Sequence, residues 1–233
     1  MNREQQRHAE QLAFISSGKE LEVGQAQDCP LPVEQLSATT GSEDYVISDL
    51  GGGLTAHVYH IKAAGQEWTL KRARAECLVQ NVDGQTSFLN EVQRRADITQ
   101  LKNNPATADR MAAVVDTQYA SFQHGIILSP WIAGKPVENW DERQLTELFA
   151  AMSELLLAGL FEWDFCAGNL LDDGHIRLFD FGYMYRFDPL QDFNSNGREA
   201  PLFHGAERFE TRCYFAHLLN LEQTQGQAAA LSA

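Results

Sequence analysis

The chain has 233 residues, 44% of them hydrophobic, enough for one sizeable domain or two small lobes and too apolar for a disordered chain. Its formal net charge of -14 argues against a nucleic-acid partner or a polybasic membrane contact, since either needs a basic face to meet phosphates. The first residues carry no apolar core of a Sec signal, and no run of about 18 apolar residues occurs. Cys29, Cys77, Cys166 and Cys213 are widely spaced, with no Cys-x-x-Cys pair, which predicts free thiols rather than a zinc or disulfide framework.

In chain order, residues 1–42 read as a partly flexible leader, with a short helix over Arg3 to Ile15 and a Gln/Pro/Ser/Thr-rich loop over Gly24 to Gly41. Period-two alternation begins at Tyr45 and predicts strands over Tyr45–Leu50, Ala56–Ile61 and Glu67–Arg72, the last two joined at Ala64-Gly65-Gln66. Thr86 to Gln100 reads as a helix, and Arg110–Thr117 and Gly125–Ile132 as two further strands. Asp141 caps a helix whose apolar positions are Leu145, Leu148, Phe149, Met152, Leu155, Leu156 and Leu160. Two short strands, Asn169–Leu171 and His175–Phe179, flank the turn Asp172-Asp173-Gly174. A last helix over Ala206–Leu221 is expected to bury Phe209, Cys213, Phe215 and Leu219, leaving residues 223–233 as a flexible tail.

Four short motifs punctuate this pattern. Gly51, Gly52 and Gly53 lie between two strands, with Ala56 and Val58 following. Glycine there lets backbone N–H groups approach phosphate oxygens, and a β-branched strand in place of a helix argues against a dinucleotide fold. Lys71 ends an apolar strand one hairpin later, and Glu91, on the next helix, is the natural partner for its ammonium. Asp164 and Asn169 pair a carboxylate that can accept a hydroxyl proton with an amide oxygen that can bind magnesium. Asp180, in Asp180-Phe181-Gly182, is a carboxylate beyond a strand end before a glycine, suited to a metal. His57 and His60 lack the geometry of a metal pair.

Together and in this order the motifs resemble the protein kinase-like superfamily over about residues 45–190. The resemblance implies an α+β, bilobal fold: a β-rich N-lobe with one helix over residues 43–130, and a reduced, mainly helical C-lobe over residues 131–222. It implies ATP and Mg2+ as cofactors. Lys71 would hold the α/β-phosphates and pair with Glu91, Asp164 would be the catalytic base, and Asn169 and Asp180 would bind magnesium. The segment Ile127–Pro136 resembles the inter-lobe hinge, with backbone groups of Pro130 and Ile132 meeting the adenine. Several positions depart from the family. Ala56 replaces the third glycine, Glu162-Trp163 replaces the His-Arg before the catalytic Asp, and no Ala-Pro-Glu follows Asp180. Cys166 stands where a Lys or His usually brings charge near the γ-phosphate, and Arg177 and Arg186 are nearby candidates to supply it.

The expected activity is that of a minimal, atypical bacterial-type protein serine/threonine kinase, the Gly182 of Asp180-Phe181-Gly182 favouring a protein hydroxyl as acceptor. Two alternatives stand beside it. Gly168 before Asn169 and the Trp131–Pro136 stretch resemble aminoglycoside phosphotransferase-like small-molecule kinases, and a pseudokinase binding module is the other. Small kinases lacking that Arg resemble secreted bacterial effectors and toxin-like kinases. The expected location is therefore the cytoplasm, or a target cell reached by a non-Sec route. The expected partners are a protein substrate in that cell and a chaperone for the leader.

Overall fold

The main sheet grows from a two-residue hairpin. Ala63 pairs with Gln66, and Ala64 (φ 52°) and Gly65 (φ 78°) between them both lie in the left-handed region, the geometry whose twist matches the flanking strands. The computed structural model that shows this describes residues 2–137 and 140–232. The fold is α+β and separates into two units, Met1–Ile132 with Phe181–Tyr183, and Ala133–Asp180 with Met184–Ala233.

Unit 1 holds six strands: β1 (Glu22–Gly24), β2 (Val46–Gly52), β3 (Ala56–Ala63), β4 (Gln66–Ala73), β5 (Tyr119–Ser121) and β6 (Ile126–Pro130). Their spatial order is β1-β5-β6-β4-β3-β2, antiparallel throughout. Three helices accompany them: α1 (Arg3–Ser16), α2 (Val33–Ser37) and α3 (Val82–Asn103). Strand alternation sends two sets of side chains to opposite faces. On one face Tyr59, Ile61, Trp68, Leu70, Tyr119, Ile126 and Leu128 form a core with Val33 and Leu36 of α2. On the other, Val23, Ala120 and Ile127 pack on Val92 of α3. Lys71 pairs with Ile127, so it stands on this second face, the one α3 covers.

Residues 2–42, read from sequence as a partly flexible leader, carry elements that join this unit. Asn2 and Gln5 cap α1 reciprocally, Gln11 is buried, and β1 joins the sheet edge through β5. The stretch read as loop contains β1's last residue, a 3₁₀ turn at Ala26–Asp28 and α2. Elements of three to five residues are too short to show periodicity, which is why composition misread them. Arg110–Thr117 is not a strand either. A 3₁₀ turn covers Ala108–Met111, Met111, Val114 and Val115 are buried with a single bridge at Val114, and the next strand begins only at Tyr119. The helix expected from Thr86 starts earlier, at Val82, where the Asn81 side chain accepts from the Gly84 N–H.

Unit 2 contains β7 (Lys135–Pro136), α4 (Glu142–Leu157), β8 (Leu160–Glu162), β9 (Leu170–Asp172), β10 (Ile176–Leu178) and β11 (Met184–Arg186), followed by α5 (Gly205–Phe209), α6 (Phe215–Gln225) and α7 (Gln227–Ala230). β10, β9 and β7 form a small sheet, and β8 pairs with β11. Asp141 and Gln144 make a capping box for α4. Gly159 (φ 76°) ends the approach to β8, so Leu160 belongs to a strand and not to the helix that spacing assigned it to. Between α5 and α6 lies a π turn, Glu210–Tyr214. Such a turn inserts one residue and rotates everything after it. Phe209 and Cys213 are therefore buried as expected, while Phe215 and Leu219 are 47% and 58% exposed. The tail is helical through Gln225 and again in α7. Among the described residues no helix is long and apolar enough to cross a membrane.

Because α2 closes one face of the sheet, Leu36→Ala is expected to cost about 2–5 kcal/mol in urea unfolding. A change at half-exposed Leu50 to Ala should stay within about 0.5 kcal/mol. Equal, small effects would show that residues 1–42 are dispensable to the core.

Candidate functional site

The glycine turn sits at the mouth of the β2–β3 hairpin. Gly51 has φ 82°, a conformation costly to any residue with a Cβ. At Gly52 an added Cβ would meet the Arg74 guanidinium at 2.3 Å, and at Gly53 it would meet nothing within 4 Å. Arg74 Nε donates to the Gly53 carbonyl at 2.9 Å, and Arg74 Nη1 lies 3.2 Å from His57 Nε2. The Gly51 N–H already donates to Asp49 Oδ1 at 2.8 Å. Ala56 is buried opposite Ala73, and Val58 pairs with Lys71. Burial first, then the charges of Arg74 and Arg72, lowers the His57 pKa, so this imidazole is neutral at neutral pH. The turn thus has the Arg74 guanidinium set across it, with the Gly51 N–H taken by Asp49. Arg74 escaped the motif search, although Lys71-Arg72-Ala73-Arg74 is a basic run conspicuous in a chain this acidic.

Lys71 and Glu91 meet as the 20-residue interval suggested. Lys71 Nζ lies 2.6 Å from Glu91 Oε2, with side chains 11% and 2% exposed. The second carboxylate oxygen is taken by Arg95, whose Nη2 and Nε donate to Oε1 at 3.0 and 3.2 Å. Arg95 Nη1 also donates to Thr117 Oγ1 and Ser129 Oγ. A carboxylate this buried needs such partners, and the i,i+4 spacing on α3 supplies one of them locally. Arg95 was missed because a helix arginine reads as solvated surface by default.

The same helix face holds the backbone of Phe181 and Gly182. Asn90 Nδ2 donates to both carbonyls, at 3.3 and 3.0 Å, and Gln11 Nε2 of α1 donates to Asn90 Oδ1 at 3.2 Å. The Arg95 guanidinium stacks 5.2 Å from the Phe181 ring centroid. Pro130 ends β6 opposite Trp68, and Ile132 closes this part of the unit. Between them, Trp131 donates its N–H to Glu67 O and stacks on His60 with ring centroids 3.6 Å apart.

In unit 2, Asp164 and Asn169 bracket a tight turn before β9. Asn169 Nδ2 donates to the Asp164 carbonyl at 2.8 Å and to Oδ2 at 3.3 Å. That use of the amide nitrogen leaves Oδ1 as the atom suited to a hard cation such as Mg2+. Glu162 Oε1 accepts from the Asp164 N–H at 2.7 Å. Asp180 lies two residues beyond β10 and is half-buried. Trp163 donates Nε1–H to the buried Ser195 hydroxyl at 2.7 Å, so a neutral contact orders the segment after the turn.

Near Cys166 the structure brings up an arginine that the sequence did not single out. Arg177 is engaged with Asp173, at 3.0 Å, and Arg186 ends β11, exposed. The guanidinium that reaches the turn is that of Arg212, in the π turn, which lies on Asp164 Oδ1. Burial works against its charge, but the Asp164 carboxylate outweighs this and the Arg212 pKa rises. Burial, then Asp164, raises the Cys166 thiol, which stays protonated and uncharged at neutral pH. Buried Cys213 donates to the Phe165 carbonyl at 3.2 Å, and burial pushes its thiol up to about 12.

No family model matches the chain, and no curated protein matches it. Unit 1 brings a lysine held by a buried glutamate and an arginine at the glycine turn, cationic donors suited to anionic oxygens. The donor set of unit 2 fits proton acceptance and oxygen-ligated magnesium.

Glu91→Gln withdraws a buried carboxylate from both Lys71 and Arg95, and should cost about 3–5 kcal/mol in urea unfolding. Lys71→Met, at the more exposed end of the same network, should cost clearly less. A Glu91→Gln protein as stable as wild type would mean that the carboxylate carries no structural charge balance.

Proposed function

We propose that the chain is an ATP-dependent phosphotransferase. Within that class, we read it as a minimal protein kinase that transfers the γ-phosphoryl group to a serine or threonine hydroxyl, built on a bilobal kinase-like plan. The observation that carries this reading is the Lys71–Glu91 ion pair at 2.6 Å, set on the α3-facing side of a sheet whose first hairpin opens with three glycines. A buried ammonium on a strand, fixed by a helix carboxylate and level with Val58, supports a role in holding phosphate oxygens over one on a solvated surface. The Asp164–Asn169 turn adds the second half of the chemistry.

In this reading each side chain has a single task. The glycine turn and Arg74 hold phosphate oxygens through N–H donors, and Lys71 neutralises them. Asn169 Oδ1 and Asp180 would hold Mg2+, which would supply charge neutralisation. Asp164 orients the acceptor hydroxyl and takes its proton, while Asn169 fixes the Asp164 carboxylate. Trp163 and Ser195 order the following segment without a phosphate, because a neutral indole cannot pair with one.

Asp164→Ala should therefore lower phosphate transfer from ATP about 10²- to 10⁴-fold while leaving ATP affinity close to wild type. Asp180→Ala should weaken ATP in the presence of magnesium more than in its absence. Transfer is measured with a protein acceptor and, in parallel, a panel of amino-sugar and amino-alcohol acceptors. Preference for the panel would move the assignment to a small-molecule kinase. Undiminished turnover in Asp164→Ala would remove Asp164 from the chemistry.

A further inference from the structure

We propose that Arg212, brought in by the C-terminal helix, is the cation that serves the transferred phosphoryl group, a task for which Cys166 offers no charge. The inference rests on the phosphotransferase reading and assigns that site a residue 48 positions beyond its base. Four observations lead to it. The Arg212 guanidinium is ion-paired to Asp164 Oδ1, while Asn169 serves Oδ2, so the two partners divide the carboxylate between them. Arg212 also meets the Cys166 side chain, which places it at the position lacking a charge. Its side chain is 47% exposed, so an incoming phosphate can reach it where it stands. Finally, it is carried by the π turn Glu210–Tyr214, and the next residue, buried Cys213, is anchored to the Phe165 carbonyl. π turns are rare and concentrate at functional sites. Here the inserted residue sets Cys213 inward on the Asp164 turn and Arg212 beside it on Asp164.

A purely structural role does not account for this arrangement. An ion pair as exposed as this one contributes little to stability. A guanidinium, however, presents five N–H donors in a planar fork, so one edge can rest on Asp164 while another takes phosphate oxygens. In the transfer step the acceptor oxygen forms a bond to the γ-phosphorus and its proton passes to Asp164. The bond from γ-phosphorus to the bridging oxygen breaks, and its electron pair leaves with ADP. Arg212 neither gains nor loses a proton. It shares the charge on the non-bridging oxygens and keeps Asp164 aimed at the acceptor.

The test uses the full chain and three variants: Arg212→Met, Arg212→Lys, and Arg212→Met combined with Cys166→Lys. Calorimetry with magnesium measures affinity for ADP and for ADP–beryllium fluoride, which adds a phosphate-like group. Turnover is read as phosphate released from ATP to water or to dephosphorylated casein. Arg212→Met should bind ADP like wild type, lose the preference for the beryllium fluoride complex, and turn over about a hundred-fold more slowly or worse. Arg212→Lys should keep part of both, and Cys166→Lys should restore part of both by returning a cation from the other side. If Arg212→Met keeps the analogue preference, or if Cys166→Lys rescues neither readout, Arg212 is only a support for the turn and the proposal fails. A wild-type chain that transfers phosphate and binds the analogue, with Arg212→Met doing both equally well, overturns this assignment alone. A wild-type chain that binds neither nucleotide overturns the phosphotransferase reading and this assignment with it.

Discussion

The carboxylate of Glu91 is 2% exposed, and much of unit 1 is arranged to make that tolerable. A buried charge is retained only with opposite charge and hydrogen bonds on each oxygen. Lys71 takes one oxygen from β4, and Arg95 takes the other from the next turn of α3. Arg95 then reaches Thr117 and Ser129, which ties the same carboxylate to β6 and to the chain entering β5. The register β3–β4–β6 is what delivers Lys71 to this point, because Val58, Lys71 and Ile127 stand in one row across the sheet. A slip of one residue in β4 would send the lysine to the opposite face, among Tyr59, Trp68 and Leu128.

A parallel economy of anchoring governs the Asp164 turn in unit 2. Its backbone is held by Glu162 at the start, by Asn169 at the end, and by Cys213 at Phe165 in the middle. Its carboxylate is shared by an amide and a guanidinium. Glu162 and Asn169 lie on short elements, whereas Cys213 and Arg212 come from the π turn within the continuous helical stretch 205–225. β8 and β9 have three residues each, and the third anchor comes from a π turn. The turn is thus held both by local hydrogen bonds and by contacts from residues 48 positions away.

Much of this was legible in the sequence, and what was not has identifiable physical causes. The β2–β3–β4 meander, α3 and α4 are long or strictly patterned, and the Asp141 cap of α4 is visible as such, while the Asn81 cap of α3 lies before the first apolar repeat and was not read. The Lys71–Glu91 pair was legible because a buried ammonium on an apolar strand demands a partner. β1, α2, β8 and β11 were not, because three to five residues carry no period and their pairing partners are remote in sequence. Arg95 and Arg74 look like ordinary surface cations until the fold shows what they touch. Arg212 was invisible for a further reason. A search for the charge near Cys166 looks nearby, while a π turn 48 residues from Asp164 obeys no helical spacing that a pattern could reveal.

The central proposal is that the chain binds ATP with magnesium and that Lys71 takes part in that binding. It is tested most directly by titrating the wild-type chain with ATP, with and without magnesium, in a calorimeter. The account predicts saturable binding of one ATP per chain that strengthens sharply when magnesium is present. Lys71→Met should remove most of that binding while the fold persists. Absence of saturable ATP binding by a folded wild-type chain, or binding indifferent to both magnesium and Lys71, would contradict it.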